Sequence, residues 1–375
     1  MKRKAILCAL FVLSLFVPGV SIPVRADDSA ASIAAGGLVP RRETRIVMAK
    51  EVLKIGLRKV VVDYDFRNDS DEDVVTEVAF PVPPYENDFA QGPALEQSSF
   101  KSFKLWVDGE PVHFELESKA MLKDKDITTL LNANQIDIPT FGHFVDTVDK
   151  SHNEVFKCPD YARLSQSAKD RLVKAGIFDR ENAQWGWGKW TVHLQYHWLQ
   201  VFPAHAIVHI RHEYAPVVGF TQVQSDAAEG LLTQQATGRL DKNQDEIRLL
   251  ADFCADRSFL NSLMRKFREN KAHAVSENDR FMAGVGYPRW VDFILTTANT
   301  WQRPIEDFTL IVERPDSEKG EKTLISFCSP NGGKVEKLDV DHFQVHLTNF
   351  VPSAELHIGF FDLPGSASAN RAGQR

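Results

Sequence analysis

Five histidines fall within 20 residues of this chain, at His193, His197, His205, His209 and His212. Imidazole is a common metal ligand and the side chain that titrates nearest neutral pH, so zinc or copper binding is the chemistry the cluster offers. The alternation around it tests that idea. Val192, Leu194, Tyr196 and Trp198 share one side of an expected strand, with His193 and His197 on the other; Val208, Ile210, His212 and Tyr214 share one side of the next, with His205 and His209 opposite. If Phe202-Pro203-Ala204 turns these strands into a hairpin that pairs 197 with 205, it also pairs 193 with 209. Facing partners would sit about 5 Å apart, whereas residues four apart on one strand are separated by about 13 Å, so the four cannot share one ion. Gln195 and Arg211 would lie between the pairs, and a guanidinium repels a cation. No metal ligand is assigned, and the histidines read as the half-exposed polar face of a sheet.

The remaining constellations are weaker. His212-Glu213 opens like a metalloprotease motif, but the position four residues after the histidine is Pro216, which ends the helix that motif needs. Asp241, Asn243 and Asp245 resemble the start of a calcium loop, but Glu246 stands where glycine must make the sharp turn; acidic residues at the positive end of a helix account for them. Trp185, Trp187 and Trp190, with glycines between them, could stack on sugar rings or fill a core, and burial is the usual fate of tryptophan. No nucleophile elbow, phosphate loop or dinucleotide fingerprint occurs, and Gly332-Gly333-Lys334 reads as a turn. Neither catalytic nor cofactor-binding residues are assigned, and the balance of these readings is against an enzyme.

Strands must position most of these residues. Val60, Val62, Tyr64 and Phe66 alternate with polar neighbours, Asn68-Asp69-Ser70-Asp71 supplies turn chemistry, and Val74, Thr76, Val78 and Phe80 form the expected partner before Pro81, Pro83 and Pro84. Asn68-Asp69-Ser70 is also a glycosylation acceptor pattern, which the turn explains without glycan. A second hairpin is expected where Phe103, Leu105 and Val107 lead into Asp108-Gly109 and Val112, Phe114 and Leu116 lead out. Short helices are expected within 122–187, one running from Leu164 to Ile177 with Ser165 as cap. Ile247, Leu250, Cys254, Leu260, Leu263, Met264 and Phe267 keep helical spacing, and strands resume from Val291 to Phe361. The fold class is therefore mainly β, with β-sandwich-like units and inserted α-helices. The expected division is a signal peptide at 1–26, an N-terminal sandwich-like unit at 27–220 carrying the helical insertion, a helical segment plus C-terminal β unit at 221–364, and a disordered tail at 365–375.

Met1-Lys2-Arg3-Lys4, the apolar run from Ala5 to Val17, Pro18 and Val24-Arg25-Ala26 have the form of a secretory leader cleaved between Ala26 and Asp27. The run is short for a bilayer span, so the expectation is a periplasmic or secreted product without stable membrane insertion. Four of the 44 basic residues and no acids lie in the leader, so the remaining 349 residues hold 40 basic against 51 acidic, a net of −11. That balance disfavours nucleic acid and anionic membrane as partners. Cys8 leaves with the leader. Cys158, Cys254 and Cys328 then face an oxidising compartment and permit three alternative single bridges.

Ala35-Gly36-Gly37-Leu38, Val62-Asp63-Tyr64-Asp65-Phe66-Arg67-Asn68, Ala79-Phe80-Pro81-Val82-Pro83, Phe202-Pro203-Ala204, His212-Glu213-Tyr214-Ala215-Pro216-Val217-Val218-Gly219, Ile294-Leu295-Thr296-Thr297-Ala298-Asn299-Thr300-Trp301 and Ile325-Ser326-Phe327-Cys328 follow one another along the chain. Across nearly the whole mature chain they resemble a secreted bacterial family known as domain of unknown function 4424. The resemblance brings no activity. It implies a cysteine on the helix and another in the Ser-Phe-Cys strand, hence a Cys254–Cys328 bridge, with Cys158 as this chain's departure. The Asn68 turn, Phe80-Pro81-Val82-Pro83 and Val107-Asp108-Gly109 are also similar to the N-terminal β-sandwich of vault and inter-alpha-trypsin type domains, in fold alone. The functional expectation is an exported, non-catalytic binding or envelope-structural module with an unknown protein or glycan ligand. The alternative is a carbohydrate-binding or carbohydrate-processing protein centred on Trp185 to Trp190.

Overall fold

The computed structural model describes residues 29–362 apart from 35–36, 88–101, 142–144, 149–153, 180–187, 239–243 and 316–322. The leader with its Ala26–Asp27 junction, the tail at 365–375, and Trp185, Trp187, Asp241 and Asn243 lie outside the described residues.

The fold is mainly β with helices inserted between strands. A six-stranded sheet runs in the order Gly37–Pro40, Ser29–Ala34, Val74–Glu86, Thr191–Phe202, Glu115–Leu122, Lys125–Asp126. An eight-stranded sheet runs Glu336–Lys337, His342–Phe350, Ile305–Glu313, Ile46–Ile55, Val60–Asn68, Ile207–Tyr214, Lys104–Val107, Glu110–Pro111. Each central strand buries alternate residues, and the two buried faces pack on each other. Phe66 meets Phe202 edge-on at 5.7 Å between ring centroids, and Phe80 meets Tyr214 at 5.4 Å, in each case across the gap between sheets.

The local hairpins expected from alternation are arches from one sheet to the other. Val60–Asn68 belongs to the eight-stranded sheet, and Val74–Glu86 to the six-stranded one. Asp108-Gly109 does turn the chain, with φ of 50° and 84°, and sets Trp106 opposite Pro111. Only two residues of the return strand pair there before the chain crosses to Glu115–Leu122. Thr191–Phe202 and Ile207–Tyr214 likewise lie in different sheets, so 197 does not pair with 205 nor 193 with 209; His193 faces Lys119 and His209 faces Asp65. The physical reason is that strands packed face to face across a sandwich bury the same alternate residues as strands paired edge to edge. At the last arch, Pro203 has no N–H to donate and His205 adopts φ 55°, so the ladder stops there.

Asn68 fastens two of these arches together. Its Nδ2 donates to the carbonyls of Glu72 (2.8 Å) and Phe202 (2.9 Å), and its Oδ1 accepts from the backbone N–H and hydroxyl of Ser70 at 3.0 and 2.6 Å. The residue is fully buried, so the turn accounts for this Asn-Asp-Ser sequence.

The large sheet takes strands from both sides of residue 220. Ile305–Glu313 lies parallel to Ile46–Ile55, with Leu310 opposite Leu53, and antiparallel to His342–Phe350. A smaller sheet of Val218–Phe220, Val285–Phe293, Leu356–Asp362 and Leu324–Phe327 follows. Val291, Phe293, Ile358 and Phe360 on one side join the sandwich core. Trp290, Phe361 and Leu324 on the other take the helices Ser225–Thr237, Asp245–Asp252 and Arg257–Ala272 through Leu231, Leu250, Phe253, Leu260 and Phe267. Cys254, just past the second of these helices, is bonded to Cys328 just past Leu324–Phe327, with Cα atoms 5.0 Å apart. Cys158 is buried and outside this bond. The cap expected at Ser165 is present: its hydroxyl accepts from Ala168 N–H at 3.2 Å and begins the helix Gln166–Lys174.

Candidate functional site

The histidines are distributed over both outer faces, the core and an arch, so they do not converge. His193 and His197 point outward from the six-stranded sheet. There His197 Nδ1 lies 2.6 Å from Glu77, while burial and nearby Lys119 lower the pKa of His193. His205 sits in an arch, 2.9 Å from Asp71. His209 points outward from the opposite sheet, 2.6 Å from Asp65. His212 faces inward among Phe80, Phe103, Tyr64 and Trp198, and burial pushes its pKa down to about 3, so it is a neutral core residue. The dominant pattern is one imidazole to one carboxylate, repeated at His346–Asp307 (3.0 Å) and His357–Asp292 (2.8 Å). Among the described residues no three His, Cys, Asp or Glu side chains are grouped to hold a metal ion.

Trp190 is core. Its indole packs among Phe141 and Phe178, and a Cβ on Gly188 would come within 1.8 Å of the ring, so that glycine serves close packing. Asp245 opens the helix Asp245–Asp252 and pairs with Arg248 at 3.0 Å, while Glu246 accepts the Gln224 N–H at 2.8 Å. Both acidic residues thus lie in a helix's first turn, where its positive end favours them.

The concavity that combines an accessible aromatic ring with fixed polar groups lies on the outer face of the eight-stranded sheet. It encloses about 410 Å³ and is lined by Asp63, Asp65, Trp106, Gly109, His209 and Arg211. Antiparallel register builds it in two rows. Asp63, Arg211, Trp106 and Pro111 lie side by side across four strands, and Asp65 and His209 form the row beside them. The rows are about 7 Å apart, two residues along a strand. Arg211 Nη1 donates to both oxygens of Asp63, at 2.8 and 3.0 Å. His209 is held from three directions: its Nδ1 by Asp65, its N–H by Asp108 Oδ1 at 2.9 Å, and its carbonyl by the Asp108 N–H at 2.8 Å. Beyond Arg211, Glu213 lies 3.6 Å from both Lys59 and Lys104. Trp106 is half-buried, with the Asp108-Gly109 turn at its edge. Acceptors, donors and an aromatic face therefore stand on a rigid surface in fixed relative positions.

Asp63 and Asp65 lie in the Val62–Asn68 stretch that carries the family resemblance, which assigns them no role, and Trp106 and Arg211 lie in no motif. The available signal was phase: Trp106 falls between Leu105 and Val107, where alternation assigns an outward position and a large aromatic needs a reason. A second concavity, about 560 Å³, lies in the helical insertion beside Asn134, Asp137, Asp160, Arg163 and Arg171. There Arg171 donates to Asn134 at 2.8 Å and Arg163 to Asp160 at 3.4 Å.

Fold and surface together define a β-sandwich whose small third sheet is roofed by helices and whose broad outer face carries an aromatic-lined hollow. The chain belongs to the family described as Domain of unknown function (DUF4424), whose model matches residues 26–358. No curated protein matches it. Among solved structures it is similar to a Legionella pneumophila protein described as a candidate nutrient binding protein, at 11% identity and a TM-score of 0.34, covering 89% of this chain and 72% of that one. No helix among the described residues is long and apolar enough to cross a membrane.

Proposed function

We propose that this chain is an exported, non-catalytic binding or envelope-structural module, with the hollow around Trp106 as its binding face. The observation that carries the reading is the fixed two-row array of Asp63–Arg211 and Asp65–His209 beside a half-exposed tryptophan on central strands. Groups already hydrogen-bonded to each other on a sheet are partly preorganised for recognition, because less side-chain freedom is lost when a ligand docks. Export rests on the leader-like first 26 residues and fits the Cys254–Cys328 bond, which an oxidising compartment preserves. Partners are sought in the cell envelope, as a protein or glycan, and not among nucleic acids.

The test has two parts. Expression from the full sequence in a bacterial host should deliver a protein starting at Asp27 to the periplasm or medium; a product starting at Met1 in the cytosol refutes export. Purified protein should be retained by isolated envelope fragments, and the double variant Trp106→Ala/Arg211→Glu should lose that retention. Undiminished retention in the double variant refutes this face as the binding surface.

A further inference from the structure

Resting on that assignment of the binding face, we propose that the hollow takes a neutral pyranose ring of an oligosaccharide, with Trp106 stacked on the sugar's apolar face. The charges select for such a ligand. Asp63, Asp65 and Asp108 disfavour an anion, while Arg211 within the row opposes a cation at that end, and Glu213 with Lys59 and Lys104 continues the mixture of signs beyond it. A polyol carries neither charge, and each hydroxyl is both donor and acceptor, so it can give to the carboxylates and take from the guanidinium. A carboxylate oxygen that accepts from Arg211 keeps lone-pair capacity for a hydroxyl, so the Asp63–Arg211 pair need not break for binding. The axial C–H face of a pyranose is apolar and flat enough to lie on an indole, which presents a large ring at low entropic cost.

The geometry agrees with this chemistry. Trp106 is separated from Asp63 by the intervening Arg211 strand, so it stands about 10 Å from the carboxylate at one end of its row. The second row, Asp65–His209, is offset along the strands and offers another acceptor. A ring on the indole thus presents its substituents toward both rows. The hollow's 410 Å³ falls within the range of sites for small ligands, and its open form admits a chain running past the tryptophan. Trp190 cannot serve, being buried in the sandwich core.

The experiment is calorimetric titration of the full mature protein with hexasaccharides of glucose, mannose, galactose and N-acetylglucosamine. At least one should bind. Trp106→Ala should weaken that binding about tenfold or more, and Trp106→Phe should keep most of it. Thermal unfolding of each variant separates loss of the site from loss of the fold. Soluble sugar that also competes with retention on envelope fragments marks a surface glycan as the source; soluble binding without retention marks a free saccharide. If no hexasaccharide binds, or if Trp106→Ala binds as tightly as the parent while folded, the proposal is overturned. Retention lost in Trp106→Ala/Arg211→Glu without sugar binding would then leave the binding face standing with a protein or peptide as ligand, whereas absence of both removes face and ligand together.

Discussion

Asn68 joins two arches of the sandwich through one buried side chain. Four hydrogen bonds end on its amide inside the protein, tying its own turn to the carbonyl of Phe202. Asn68→Ala should cost about 2–4 kcal/mol, since partners of the amide would be left buried without a mate; the midpoint of urea unfolding measures it. His212 gives a pH dependence. Its folded-state pKa of about 3 lies below the ordinary value of 6.5, so between these limits the unfolded chain binds a proton that the folded chain refuses. Stability is complete above pH 6.5 and falls as pH drops toward 3, by up to about 1.4 kcal/mol per unit. The parent should therefore lose about 3 kcal/mol more between pH 7 and pH 4 than His212→Phe does. Equal losses in the two proteins would refute that role. His357 works in the opposite sense, because Asp292 raises its pKa and its stabilisation fades as pH rises past the raised value; being half-exposed, it contributes less. The binding residues were legible only by phase: alternation places Asp63, Asp65, His209 and Arg211 outward, but nothing in a single chain says that Trp106 lands beside them, because its strand arrives from more than 100 residues upstream of Arg211.

Close approach between elements governs the small sheet. Trp290 lies opposite Gly219 on one neighbouring strand and Gly359 on the other, and a Cβ on Gly219 would come within 1.9 Å of the indole. Gly219→Ala should therefore shift the small sheet against its helices and lower stability by about 1–3 kcal/mol, as overpacked cores do; Trp290→Leu in the same chain should relieve part of that loss. A thermal-unfolding cycle over the two sites tests the coupling. At this scale the strands themselves were readable from alternation: Val60–Asn68, Thr191–Phe202 and Ile207–Tyr214 stand where the apolar period is two. What the period cannot encode is the partner. Phe66 against Phe202 and Phe80 against Tyr214 satisfy alternation across a sandwich as fully as hairpin neighbours would within one sheet. Proline and left-handed backbone at Pro203 and His205 are the local marks of an arch, and similar residues also make turns.

For the molecule as a whole, the Cys254–Cys328 bond closes a loop with a sequence separation of 74 and joins the helical roof to the small sheet. By chain entropy its loss in Cys254→Ala/Cys328→Ala should cost about 4 kcal/mol, and alkylation of the unreduced, unfolded parent lacking residues 1–26 should modify Cys158 alone. Three of the sheet edges, at Glu110–Pro111, Lys125–Asp126 and Glu336–Lys337, are two-residue strands carrying charge, which discourages copies from adding strand to strand there. The parallel seating of Ile305–Glu313 beside Ile46–Ile55 has a temporal consequence. A chain emerging amino end first leaves one edge of Ile46–Ile55, with its backbone N–H and C=O groups, unpaired until the strand that closes it exists, and such an edge is a template for pairing with another strand. Closure of this kind spans about 250 residues of chain, so the large sheet is completed late and slowly in folding.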